Sequence, residues 1–237
     1  MSLNLENKKI VLGFDTQKFN FNEIFSSYLS SIVSGDLSDL HLNLDKTILP
    51  DSVVSEKNDQ QLEFYKILYK IDPGYDLNNS IKEGTFLKTY KKFINYLSED
   101  IFKEKLVFQA RPTLRVQFPN NKAVGGWHRD RDYNHPIEEI NVWVPITDAF
   151  DTNTVWLESS FDRKDFLPSN MRFGEMLLFD SGLMHGNKIN EENKTRLSFD
   201  FRLIPFSKYT PSHDSENASS VAQNIEFKIG EYYAVTN

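Results

Sequence analysis

The 237-residue chain has no cysteine. Disulfide frameworks, thiolate metal sites and thiol catalysis are therefore excluded. No apolar run approaches the roughly 20 residues that span a bilayer, and the opening MSLNLENKKI lacks the apolar stretch of a signal peptide. Basic residues are in the minority, with 27 Lys and Arg against 34 Asp and Glu, a net charge of −7. No long Lys/Arg stripe offsets that excess, and phosphate contacts supply most nucleic-acid affinity, so the chain is a poor candidate for binding DNA or RNA. The expectation from these absences is a soluble, cytoplasmic protein with neither membrane nor nucleic acid as partner. What is present is apolar bulk. Hydrophobic residues make up 39% of the chain, with 19 Phe and 10 Tyr, enough to build a core and to exclude wholesale disorder.

The hydrophobic pattern changes period along the chain. Phe21, Ile24, Phe25, Tyr28 and Ile32 stand near helical spacing, as do Leu62, Tyr65, Leu68 and Tyr69, and then Phe86, Tyr90, Phe93, Ile94, Leu97 and Ile101. Asp72-Pro73-Gly74 and Asn78-Asn79-Ser80 read as turns. From Leu106 onward the period becomes two. Arg111, Thr113, Arg115 and Gln117 alternate with apolar residues, as do Glu139, Asn141 and Trp143, and Arg196, Ser198, Asp200 and Arg202. Thr154–Glu158, Phe173–Phe179 and Phe227–Val235 read as further strands, and Ser207–Gln223 as a polar loop. Helices grouped ahead of many short strands disfavour a parallel doubly wound sheet and favour a sandwich or barrel. The expected architecture is a mainly β chain read as one domain over 1–237. Its 1–105 part is mostly helical and packs on the sheet, 106–206 forms the β core, and 207–237 is a C-terminal extension.

Chemistry concentrates in three short segments. In Gly125-Gly126-Trp127-His128-Arg129-Asp130, His128 and Asp130 are two residues apart and share a face if the backbone is extended. Further on, His185 stands in Leu183-Met184-His185-Gly186-Asn187. Two histidines and one carboxylate make the facial triad that leaves positions open on iron(II). Eleven residues after His185 comes Arg196-Leu197-Ser198, whose two polar side chains share a strand face and suit a carboxylate. A metal triad beside a carboxylate clamp implies a small dicarboxylate bridging the two.

In order and spacing, His128-Arg129-Asp130, His185 and Arg196-Leu197-Ser198 resemble the motif of the iron(II)- and 2-oxoglutarate-dependent oxygenases. Trp127–Asp132, Asn141–Pro145 and Thr152–Ser159 resemble more narrowly a branch near phytanoyl-CoA dioxygenase, which includes the oxygenase-like proteins of streptomycin biosynthesis. The likeness covers about Leu106 to Phe206. It implies a double-stranded β-helix, or jelly roll, with Fe(II) held by His128, Asp130 and His185 and with 2-oxoglutarate as cosubstrate. The far carboxylate of 2-oxoglutarate would pair with Arg196 and Ser198. The implied activity is a dioxygenase that oxidises a C–H bond of a small-molecule substrate with dioxygen, releasing succinate and carbon dioxide. Related halogenases lack the carboxylate ligand, so Asp130 favours hydroxylation or desaturation. Asn141 and Gln117 are further candidates for cosubstrate binding, and Trp127, Arg129 and Arg202 for substrate binding.

Each feature also has a plainer reading. The polar strand faces could simply meet solvent, and Arg202 could be an ion-pair partner for a neighbouring strand. His135, in a loop before Pro136, is expected at the surface or near substrate, and His41 and His213 are expected to be solvated. His-Arg-Asp also occurs in protein kinases, but the Asn needed five residues after the Asp is His135 here, and the chain has no Gly-rich phosphate loop. Two other functions compete: a non-enzymatic jelly roll that binds a metal or small acid, and a cupin-like enzyme using its metal as a Lewis acid.

Overall fold

The computed structural model describes residues 3, 5–30, 35–43, 84–123, 126–210, 219–220 and 225–237. The helical pattern expected over Leu62–Ile71, the turns at 72–74 and 78–80, and Gly125 lie outside these residues. Among the described residues, no helix is long and apolar enough to cross a membrane.

The described residues form twelve strands: β1 (Lys9–Gly13), β2 (Leu106–Gln109), β3 (Thr113–Gln117), β4 (Ile140–Pro145), β5 (Val155–Leu157), β6 (Leu167–Pro168), β7 (Glu175–Asp180), β8 (His185–Asn187), β9 (Arg196–Pro205), β10 (Ser219–Ser220), β11 (Ile225–Glu226) and β12 (Tyr233–Val235). The main sheet runs β1-β7-β4-β9-β2-β12, with β3 also paired to β9, and a smaller sheet runs β6-β5-β8. Every strand pair in both sheets is antiparallel. Trp143 of β4, Val155 and Leu157 of β5, and Leu177 and Phe179 of β7 share one buried cluster, so the two sheets face each other. This is the jelly roll that the family resemblance implies, and it fits the sandwich or barrel expected from the strand pattern.

The helices cover the outer face of the main sheet. In α1 (Phe21–Leu29), Asn20 accepts a hydrogen bond from the Glu23 amide and returns one to the Glu23 carboxylate, closing the first turn. The helix buries Phe21, Phe25 and Leu29. Beyond the short helix α2 (Leu40–Asn43), α3 (Thr85–Tyr96) buries Phe86, Leu87, Tyr90, Phe93 and Ile94, then widens into a π turn over Leu97–Phe102. Lys103 stops it in the left-handed conformation at φ 58°. These residues join Leu114, Val116, Val142, Val144, Phe199 and Phe201 of the sheet in one core. Phe21 meets Phe199 edge-on at 4.8 Å, and Phe93 meets Phe14 at 5.1 Å. The alternation in β3, β4 and β9 thus sends one set of side chains outward into the helices and the other inward between the sheets.

Several expectations need correction. The N-terminal part is not wholly helical, because Lys9–Gly13 pairs with β7 as an edge strand. Its run Ile10-Val11-Leu12 carries no alternation that would have marked it. The stretch from His128 to Asp130 is not a continuous strand. His128 forms an isolated bridge with His185, and Asp130 opens a 3-10 turn over Asp130–Tyr133. Ser207–Gln223 is not all loop, since Ser219–Ser220 pairs with Ile225–Glu226. Of Phe227–Val235, only Tyr233–Val235 is a strand, added to the edge at β2. The polar face of β9 does not meet solvent, because Arg196, Ser198 and Arg202 are buried.

Candidate metal centre and carboxylate clamp

Two backbone hydrogen bonds between His128 and His185, at 3.0 and 2.9 Å, tie the stretch before Asp130 to β8. The Asp130 amide then donates to the Ser181 carbonyl at 3.1 Å. These ties bring three side chains from two distant segments of the chain together. Nε2 of His128 lies 3.2 Å, and Nε2 of His185 3.8 Å, from Oδ1 of Asp130. Two ligands about 2.1 Å from one ion and at right angles stand about 3 Å apart, close to the His128–Asp130 spacing, and all three atoms lie within 4.8 Å of one another, so they could hold one ion. Tautomers support this. Nδ1 of His128 faces the Gly126 carbonyl at 2.8 Å, and Nδ1 of His185 faces the Leu183 carbonyl at 3.0 Å. Each Nδ1 must carry the proton to make these bonds, which leaves each Nε2 with its lone pair toward Asp130.

At His185 and Asp130 the electrostatics agree with a donor set. Burial pushes the His185 imidazole down to about 4, with His128 adding to the shift, so its nitrogen is available as a donor at neutral pH. Burial also lowers His128, but the hydrogen bond and charge of Asp130 outweigh it and raise the net value. Burial alone would lift the Asp130 carboxyl. The Arg202 guanidinium and the nearby imidazoles outweigh that and hold it well below the usual carboxylate range. A second cluster of Asp130, His135 and Glu139 has compatible residue types. There, however, Glu139 is already engaged by His135 Nδ1 at 2.7 Å and by the Tyr233 hydroxyl. His135 is therefore not a surface or substrate-facing residue, since it also packs against Phe227 with ring centroids 4.2 Å apart. His41 is likewise held rather than solvated, with Nδ1 2.9 Å from the Thr195 hydroxyl. His213 lies outside the described residues.

A cavity between the sheets runs from His128 and His185 to Arg196, lined also by Asn141, Trp143 and Asn187. At its far end the Arg196 side chain is fully enclosed and donates only to neutral acceptors: the Asn153 carbonyl (3.0 Å), Ser198 Oγ (2.7 Å), Gln117 Oε1 (3.0 Å) and Asn187 Oδ1 (3.0 Å). No carboxylate among the described residues pairs with it. Burial, with help from Arg115, pushes its guanidinium down to about 9. A buried cation without a counter-charge at the end of a cavity is a receptor for an anion.

The candidate residues separate by position. Asn141 projects into the cavity with both side-chain amide atoms buried and unpartnered among the described residues. Gln117 stands behind the guanidinium instead. Its amide nitrogen is fixed by the carbonyls of Asn121 and Lys188, which presents its oxygen to Arg196. Arg202 lines the cavity and grips Asp130 and Asp200. Trp127 is 39% exposed, packs on Phe166, and borders an outer groove with Lys188 and Ile189. Arg129 turns away from the cavity to the Gly182 carbonyl and the buried Glu158. Asn187 and the pair Arg115–Asp200 were not singled out for the site. Asn187 could have been, because it lies two residues after His185 on the same strand face.

No family model matches the chain. Over 184 residues it is 32% identical to the streptomycin biosynthesis protein StrG of Streptomyces griseus, an overlap of 77% of this chain and 81% of that protein. The chain belongs to the StrG family. That family is among the streptomycin-biosynthesis proteins included in the branch which Trp127–Asp132, Asn141–Pro145 and Thr152–Ser159 resemble. Among solved structures, the chain is similar to EctD from S. alaskensis with bound Fe (13% identity, TM-score 0.47, 85% of this chain and 74% of that one). It is also similar to CytC3 with Fe(II) and alpha-ketoglutarate (15%, TM-score 0.47, 84% and 74%) and to the epimerase SnoN from nogalamycin biosynthesis (10%, TM-score 0.47, 91% and 86%).

Proposed function

We propose that this StrG-family protein is an Fe(II)- and 2-oxoglutarate-dependent dioxygenase that hydroxylates, or otherwise oxidises, a C–H bond of a small metabolite. The observation that carries this reading is the pairing of a three-donor centre with an uncompensated buried guanidinium across one cavity. His128 Nε2, His185 Nε2 and Asp130 Oδ1 would hold the ion. Iron bound there supplies the oxidising chemistry, in which dioxygen and 2-oxoglutarate yield carbon dioxide, succinate and, for a hydroxylase, the hydroxylated substrate.

The chain's own residues do the rest. Arg196 and Ser198 anchor the distal carboxylate of 2-oxoglutarate, giving the guanidinium the charge partner it lacks. Gln117 and Asn187 hold that guanidinium in plane and so fix the direction of the clamp. Asn141, with a donor and an acceptor unused, meets the polar groups of the cosubstrate nearer the metal. Trp143 and Phe179 form apolar walls that exclude water from the centre. Asn187 lines both this cavity and the outer groove beside Trp127, so the groove is the approach for substrate. The matched relative is a streptomycin biosynthesis protein, which favours a metabolite of a secondary or carbohydrate pathway as substrate.

A mass-spectrometric screen of metabolite pools tests this function. The expected result is a product one oxygen heavier that requires both iron and 2-oxoglutarate, formed together with succinate. Absence of succinate under all conditions, with or without metabolites, contradicts the proposal.

A further inference from the structure

The carboxylate of Asp130 has two oxygens, and the protein treats them differently. Oδ1 faces the two imidazoles. Oδ2 accepts two hydrogen bonds from Arg202, from Nε at 3.1 Å and Nη2 at 3.0 Å. The third guanidinium nitrogen, Nη1, bonds Asp200 Oδ2, and Asp200 Oδ1 accepts from Arg115 Nε at 2.7 Å. Charges thus alternate along a row from Arg115 through Asp200 and Arg202 to Asp130. Arg202 and Asp200 stand two residues apart on β9, and Arg202 lies opposite Asn141 of β4 in the sheet register. Rigid strands therefore fix the guanidinium, and the guanidinium fixes the carboxylate.

We propose that Arg202 is a positioning residue whose forked grip on Oδ2 makes Asp130 a one-oxygen metal ligand. This inference rests on the metal centre proposed above. A carboxylate left loose can swing away or close on an ion with both oxygens, occupying a position that an open site needs vacant. With Oδ2 engaged twice, only Oδ1 is available. A lysine at 202 would retain the charge but lose the planar fork, so the two contributions are separable.

The test uses the full chain with Co(II) as a spectroscopic probe. Wild type is expected to bind one Co(II), and Asp130→Ala to lose that binding. Arg202→Lys is expected to weaken Co(II) affinity by about 10-fold or more, the usual scale for removing an outer hydrogen bond to a ligand, and to change the visible Co(II) spectrum. A lysine variant that binds within about two-fold of wild type with an unchanged spectrum overturns the proposal, because charge alone then suffices. If wild type binds no Co(II), the metal centre itself is wrong, which is a different failure. A second measurement needs no variant and decides the matter even if Arg202→Lys does not fold. In wild type carrying 13C-labelled aspartate, the infrared difference on adding Co(II) should show the widely split carboxylate stretches of one-oxygen binding. A narrow splitting, the mark of two-oxygen chelation, overturns the proposal.

Discussion

Replacing Arg196 with methionine should remove cosubstrate binding while leaving the fold nearly as stable as before. In the folded chain burial holds this guanidinium at about 9, against an ordinary value above 12. At about 1.36 kcal/mol per pH unit, that displacement is a destabilisation on the order of 5 kcal/mol. Because the folded value is depressed, the guanidinium is charged in both folded and unfolded chains below about pH 9, so the cost is present in full at pH 7 and fades only as pH rises further. Methionine removes the cost but orphans the acceptors on Asn153, Ser198, Gln117 and Asn187. At about 1 kcal/mol each these nearly cancel the gain. Binding has no such cancellation. Losing one partner of a buried charge pair costs about 2–5 kcal/mol, or a roughly 30- to several-thousand-fold rise in the dissociation constant of 2-oxoglutarate. Calorimetric titration of 2-oxoglutarate into Co(II)-loaded protein measures the second effect and thermal melting the first. A variant that binds 2-oxoglutarate within about three-fold of wild type, or that fails to fold, refutes the reasoning.

Three further outcomes follow from the packing around the centre. A Cβ at Gly186 would stand 2.9 Å from Trp127 Cδ2 and 3.2 Å from its Cα, so Gly186→Ala should displace Trp127 and with it strain the adjoining bridge between His128 and His185. The expected cost is about 1–3 kcal/mol in denaturant melts, with weaker metal binding, and unchanged values for both contradict it. Tyr233→Phe removes the hydroxyl that donates to buried Glu139 and should destabilise by about 1–3 kcal/mol, with equal stability as the contrary result. Arg115 and Arg202 outweigh burial and hold the Asp200 carboxyl below its ordinary range. Its contribution to stability is therefore present above that range and is lost as pH falls through the depressed folded value. Asp200→Asn should show a smaller loss of stability between pH 7 and pH 3 than wild type, and an identical loss speaks against the ion-pair row.

The centre was legible in the sequence where spacing alone determines proximity. His128 and Asp130 are two residues apart, and Arg196 and Ser198 share one strand face, so local geometry sufficed. His185 needed the bridge to His128, which is a long-range pairing, but its motif context marked it. Register is what spacing does not carry. That Gln117 lies opposite Arg196, and Asn141 opposite Arg202, emerges only when β3 and β4 align on the two sides of β9. For this reason spacing offers Gln117 as a cosubstrate contact without showing that its oxygen faces the Arg196 guanidinium, and it leaves Arg202 between substrate and structural roles without showing its ion pairs to Asp130 and Asp200. His135 was misread because the local signal, Pro136, indicates a loop, while its partners Glu139 and Phe227 come from a buried turn and the distant C-terminal segment. The edge strand β1 escaped because three consecutive apolar residues have neither helical nor alternating period.

In the proposed function, His128, Asp130, His185 and Arg196 together hold Fe(II) and 2-oxoglutarate in one cavity. Anaerobic optical titration of the full chain with both tests it most directly. The expected result is a weak visible charge-transfer band that saturates at one iron per chain and is absent in His128→Ala. A titration that shows no band, with Fe(II) recovered unbound, contradicts it.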